Sequence, residues 1–243
     1  MRFSFVLRYV LCLFISAVSS TLSIAQVIPF VDVKEQADVE PFIWQHESVY
    51  SDFSLDKLTE HAQDPAVIVK LERYITTRSK KNKLRFWNIE RQVTYIQDNS
   101  AIEEFSTLNF RVRDVKDKYQ DFAVRVFKPN GDIVKLRASD FTNDGTEYKL
   151  VIPGVEVGDL IDYYYFARDD IYAYGYTIFD PDEFYFVNTF PILDNHIEII
   201  IKPGVFFKFI SLNGAPEVKT SDRRTGGGLE TTATIDNYDS PGV

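Results

Sequence analysis

From Ala66 onward, apolar and polar residues alternate with a period of two, which is the pattern of strands resting one face on a core. In "AVIVKLERYIT" the alternation predicts that Val67, Val69, Leu71 and Ile75 share a face, with Arg73 as the exception. In "LRFWNIERQVTYI", Trp87, Ile89, Val93 and Tyr95 alternate with mostly polar neighbours. The polar run "TRSKKNK" joins the two, so a hairpin is expected, with Arg78, Lys80, Lys81 and Lys83 at a solvated tip. A second hairpin is expected at "FKPNGDIV", because Asn130-Gly131 tolerates the positive φ angles of a tight turn. Phe122, Val124 and Val126 before that turn, and Val134 and Leu136 after it, keep the alternation.

Further strands are predicted at "EYKLVI", "LIDYYYFA", "EFYFVNTF", "NHIEIIIK", "VFFKFIS" and "LETTATI". Pro153-Gly154, Gly158, Pro203-Gly204 and Gly214 punctuate them, and "RRTGGGL" at 223–229 reads as a mobile loop. Pro153-Gly154 ends one strand, Gly158-Asp159 turns, and the next strand begins at Leu160. Along it Ile161, Tyr163 and Tyr165 point one way, while Leu160, Asp162, Tyr164 and Phe166 point the other. Three consecutive tyrosines are therefore divided between two faces and read as sheet residues. Helix is expected only in short pieces, such as 54–62, where Ser54 is a candidate cap.

Many short strands with little helical periodicity predict an all-β fold, an antiparallel β-sandwich or open barrel with a short N-terminal lead-in and few short helices. The expected division is a signal peptide at 1–25, a lead-in at 26–65 and the β domain at 66–243. The signal rests on Arg2 and Arg8, an apolar run from Tyr9 to Val18 too short to span a bilayer comfortably, and a small-x-small site at Ser23 and Ala25. A retained anchor is the alternative. Cleavage predicts a mature chain beginning at Gln26, exported to the periplasm, the cell envelope or the medium, with no membrane attachment afterwards. It removes Cys12, the one cysteine, so neither a thiol nucleophile nor a disulfide is expected. It also takes the net charge from −9 to −11 by removing two arginines, a balance that disfavours nucleic acid.

Candidate chemistry is sparse. His46, His61 and His196 stand in no metal-binding spacing, and His196 is expected to face solvent opposite Ile197, Ile199 and Ile201. Asp180, Asp182 and Glu183 in "FDPDEF" are read as a wet turn, with a carboxylate hydrolase using Asp182 as the minor alternative. No catalytic residue, cofactor or metal is expected. Tyr172, Tyr174 and Tyr176 recur at a spacing of two in a segment with Gly175, which makes 172–186 a candidate aromatic loop for a glycan or peptide.

One resemblance covers the chain from about Leu55 to near its end. The segments "DPAVIVKLERYITT", "AIEEFSTLNFRV", "VRVFKPNGDIV" and "TFPILDNHIEIIIKPG", with the Gly-Asp turn before "LIDYYY", resemble a domain of unknown function in secreted bacterial proteins. Asp162 departs from it, since the resemblance leads one to expect glutamate there. That domain typically precedes a transglutaminase-like domain, whose Cys-His-Asp set has no counterpart in 26–243. The resemblance implies a non-catalytic N-terminal scaffold or recognition module with a C-terminal transglutaminase-like partner domain. Pro241-Gly242 also reads as the start of a linker, so these residues are expected to be the N-terminal part of a longer gene product. A stand-alone carbohydrate- or peptide-binding protein is the alternative.

Overall fold

The computed structural model describes residues 30, 36–44, 50–53, 56–80, 83–111, 119–137, 140–143, 147–172 and 183–242. The expected signal peptide, and with it Cys12, lies outside them. The lead-in contributes the short helix α1 (Val39–Ile43) and 3-10 turns at Gln36–Asp38, Tyr50–Asp52 and Asp56–His61. Then follow β1 (Ala66–Lys80), β2 (Lys83–Ile96), α2 (Asn99–Phe105), β3 (Thr107–Arg111), β4 (Tyr119–Phe127) and β5 (Ile133–Arg137). The chain continues with β6 (Thr142–Asn143), β7 (Glu147–Val151), β8 (Leu160–Tyr172), β9 (Ile192–Ile201), β10 (Lys219–Thr225) and β11 (Gly228–Ser240). The fold is all-β with few short helices.

Eight strands form one sheet in the order β10-β11-β9-β1-β2-β8-β4-β5, and β3-β7-β6 form a small second sheet. The large sheet is mixed and open. Its β1 and β9 run parallel, from Ile68 beside Ile192 to Thr76 beside Ile200, where an antiparallel arrangement is expected from the hairpin pattern. The long connection between β8 and β9 permits this pairing, because a parallel neighbour needs a crossover rather than a tight turn.

The predicted hairpins are present. Residues from Ala66↔Ile96 to Lys80↔Lys83 pair in the first, so its strands run through most of the polar "TRSKKNK" segment. Asn130-Gly131 closes the second, with Gly131 at φ +93° and Asn130 Oδ1 accepting from Asp132 N at 2.9 Å. Gly158 has φ +94°, and a Cβ there would lie 3.0 Å from the Pro129 ring, so the turn before β8 requires glycine. The proposed common face of Val67, Val69, Leu71 and Ile75 is divided by a bulge between Ile68 and Lys70. The extra residue reverses the side on which the strand's side chains emerge. Val69 packs with Val93, Phe127 and Leu160, whereas Ile68 and Leu71 pack on the other side with Val124, Val126 and Ile161.

Both faces of the sheet are covered. On one, the lead-in places Phe30, Val39, Phe42 and Ile43 over Trp87, Ile89, Ala123, Tyr164 and Phe166. Tyr50 and Phe53 continue this cover over Val69 and Phe127. On the opposite face, α2 and the small sheet bring Ala101, Phe105, Leu108 and Leu150 onto Ile68, Val124 and Ile161. Asp98 starts α2 by accepting from Ser100 N at 2.7 Å. The helical turn expected at 54–62 is the 3-10 turn Asp56–His61; Ser54 lies outside the described residues.

Two predicted strands are absent as ladders. "EFYFVNTF" and "VFFKFIS" alternate in sequence, but they lie over the sheet without joining it and pack Phe184, Phe186, Val205 and Phe209 against the cluster of Ile197, Ile199 and Ile235. The edge belongs instead to β10, "KTSDRRT", whose exposed polar composition carries no alternation signal. The expected mobile loop at 223–229 is a closed hairpin, with Thr225 paired to Gly228.

Candidate functional site

The strongest concentration of chemistry is a row of charges buried across four strands beneath the lead-in. Alternation places Glu72 of β1, Arg91 of β2, Asp162 of β8 and Arg125 of β4 on this one face. Arg91 grips Asp162 with two parallel bonds, Nε to Oδ1 at 2.9 Å and Nη2 to Oδ2 at 3.0 Å. Arg125 Nη2 donates to the same Oδ2 at 2.5 Å, and Arg91 Nη1 reaches Glu72 Oε2 at 3.2 Å. Tyr74 Oη and Lys70 Nζ complete the row by donating to Glu72 Oε1 at 3.2 and 3.3 Å. Trp44 of the lead-in lies over the Arg125 guanidinium at 4.1 Å and edge-on to Tyr164 at 5.1 Å.

Asp162 is fully buried, at 0% exposure. Burial alone pushes its carboxyl up; Arg91 and then Arg125 outweigh burial and hold it below the usual carboxylate range. A carboxylate kept ionised by two guanidiniums and closed from solvent is poorly suited to passing a proton near neutral pH.

His196 does not stand free in solvent as alternation predicts. Its ring is half-buried beside Tyr74, with Nδ1 2.7 Å from Asp236 Oδ1. Hydrogen bonding to Glu198, then to Asp236, outweighs burial and pushes the imidazolium up to about 9. The cause is position: the strand parity that turns His196 away from Ile197 turns it toward carboxylates on β9 and β11. His196 is thus a cation at neutral pH and an ion-pair partner, not a free base.

Tyr172 is exposed at the end of β8 with Lys83 Nζ 4.5 Å from its ring centre, while Tyr174 and Tyr176 lie outside the described residues. Asp180 and Asp182 also lie outside them, and exposed Glu183 accepts from Tyr185 Oη. The expected solvated basic tip is partly packed: the Arg78 guanidinium sits 5.0 Å from the Trp87 ring, and Lys81 lies outside the described residues. His61 Nδ1 is 3.4 Å from Asp64 Oδ2, and His46 lies outside the described residues. Among the described residues no cluster of three or more His, Cys, Asp or Glu could hold a metal ion, and no helix is long and apolar enough to cross a membrane.

Sequence reasoning missed the charged row, although a signal existed. Arg91 interrupts Ile89 and Val93, Arg125 falls between Ala123 and Phe127, and Asp162 falls between Leu160 and Tyr164. Opposite charges at core-facing positions of several strands predict a buried pair network.

No protein-family model matches the sequence, and no curated protein matches it at significant similarity. Among solved structures, the chain is similar to one described as a putative protease from Parabacteroides distasonis ATCC 8503, with TM-score 0.53 and 16% identity. That match covers 72% of this chain and 36% of the other, so this chain spans little more than a third of that protein's length. An M1 zinc metallopeptidase from Deinococcus radiodurans matches at TM-score 0.36 and 8% identity, over 73% of this chain and 40% of the other. The first of these likenesses concerns the fold alone.

Proposed function

We propose that this chain is a non-catalytic, exported β module, the N-terminal scaffold or recognition domain of a larger transglutaminase-like protein. The observation that carries this reading is the condition of its ionisable groups. Asp162, Arg91, Arg125 and Glu72 tie four strands together, and His196 is fixed as a cation between Asp236 and Glu198. These groups serve as ties between strands rather than as an exposed acid, base or nucleophile. The similarity to about a third of a longer chain supports a modular role. Residues 26–243 contain no cysteine, so a Cys-His-Asp set belongs to another part of the gene product. Export rests on the basic and apolar pattern of residues 1–25.

Reading the coding sequence beyond Val243 tests the proposal. A cysteine followed by a histidine and an aspartate on a further domain is expected. A stop codon directly after Val243 removes the scaffold reading and leaves a stand-alone protein. The glycan- or peptide-binding alternative is favoured by one observation, the 51% exposure of Tyr172. If Tyr174→Ala with Tyr176→Ala leaves binding on a glycan or peptide array unchanged, that alternative fails.

A further inference from the structure

On the face opposite the lead-in, α2 and the small sheet cover Ile68, Val124 and Ile161, while segments 183–190 and 205–212 cover Ile197, Ile199 and Ile235. Neither apolar cluster takes in Arg73 of β1, Asn88 and Glu90 of β2 or Tyr165 of β8. The registers Arg73↔Glu90 and Glu90↔Tyr165 set these side chains in one row across the middle of the sheet, and Asn88 stands one step along β2 on the same face. Arg73 Nε lies 3.0 Å from Glu90 Oε2, and each of these two side chains is 29% exposed. Aromatic rings stand at both ends of the row. Phe184 has the Arg73 guanidinium 5.9 Å from its centre, and Tyr165 stacks on Phe122 at 5.6 Å.

Two amides flank the row, and both are incompletely satisfied. Asn195 of β9, opposite Leu71, is 1% exposed, yet neither its Oδ1 nor its Nδ2 has a hydrogen-bond partner among the described residues. Asn88 Oδ1 is likewise buried and unpartnered among them. Buried polar atoms left unpaired weaken a fold, so two amides in this condition on one face point to a ligand that completes them.

We infer that Arg73, Asn88, Glu90, Tyr165 and Asn195 form the floor of a binding site for a neutral saccharide. An amide donates and accepts, as sugar hydroxyls do. The Arg73–Glu90 pair adds a donor and an acceptor without net charge, so neither a phosphate nor an ammonium group finds a free counter-charge there. Tyr165 and Phe184 supply flat apolar surfaces for the C–H faces of sugar rings. An extended peptide is a poorer occupant. Its usual purchase is an unpaired strand edge, whereas β1 is paired to β2 and β9, and β2 to β1 and β8. The site is separate from the aromatic loop at 172–186, and it stands whether or not a further domain follows.

Titration of the mature protein with maltohexaose, cellohexaose and chitohexaose, followed by NMR of the side-chain amides, tests this. At least one of them is expected to shift the Asn88 and Asn195 resonances with a Kd below about 1 mM. That binding should be insensitive to salt, because the floor carries no net charge. Glu90→Gln and Asn88→Ala should each weaken it by about tenfold. Asn195→Leu replaces an unpaired amide by a hydrophobe of similar size, so it should weaken binding while leaving the thermal midpoint equal or higher. No shift with any of the three sugars would overturn the inference. Shifts confined to the region of Tyr172 would assign sugar binding to the loop and contradict it, as would tighter binding of an extended peptide at this floor.

Discussion

The two faces of the large sheet are built from the same strands and solve opposite problems. Under the lead-in, charges occupy core positions, and Asp162, Arg91, Arg125 and Glu72 satisfy one another across β1, β2, β8 and β4. On the far side the core over β9 and β11 is built from Ile197, Ile199, Ile201, Ala233 and Ile235, and the segments that cover it expose Phe206, Ile210 and Leu212. The first face is closed by its own chain; Trp44 sits on Arg125, and α1 buries Phe42 and Ile43. The second is covered by one layer that itself presents Phe206 and Ile210 outward. The difference teaches that a buried charge, once paired, consumes its partner and ceases to be available for chemistry. An exposed apolar residue remains available for association.

The contrast predicts its largest effect at Asp162. Asp162→Asn removes the charge that pairs two buried guanidiniums, and chemical denaturation should show a loss of about 3–5 kcal/mol. Phe206→Asp on the outer layer should change the stability of residues 26–243 by no more than about 0.5 kcal/mol. Comparable losses from the two substitutions would show that the faces do not differ in the way described.

A smaller effect belongs to His196, at the polar border of the lead-in face. Its folded pKa of about 9 lies above the ordinary 6.5, so its stabilisation is fully present below pH 6.5 and is lost as pH rises through about 9. Asp236 is held below the usual carboxylate range chiefly by its hydrogen bond to His196, so its contribution disappears in the other direction, as acid protonates it. Solvent screening limits the pair to roughly 1 kcal/mol. His196→Asn should flatten the stability profile between pH 6.5 and 9. An imidazole titration by NMR with its midpoint near 6.5 would contradict the assigned pairing.

Much of the first face's framework was legible from alternation, because a strand with one buried side writes its period directly into the sequence. The β1–β2 hairpin, the Asn130-Gly131 turn and the division of Tyr163, Tyr164 and Tyr165 between faces follow from period and turn chemistry alone. The bulge at Ile68 to Lys70 was not legible, since one inserted residue reverses the facing without altering composition. The parallel partnership of β1 and β9 depends on a crossover, which local pattern does not encode. "EFYFVNTF" and "VFFKFIS" carry strand-like alternation because they too have one buried side, but burial does not require a hydrogen-bonded ladder. The His196 pairing was hidden for a related reason: parity shows which way a side chain points, not which charges wait on the neighbouring strand.

A double-mutant cycle between Asp162 and Arg91, read by chemical denaturation of residues 26–243, tests most directly the central claim that the charged face serves the fold. The account predicts that the losses from Asp162→Asn and Arg91→Gln are strongly non-additive, because each removes the other's partner. Losses that simply add would contradict the account.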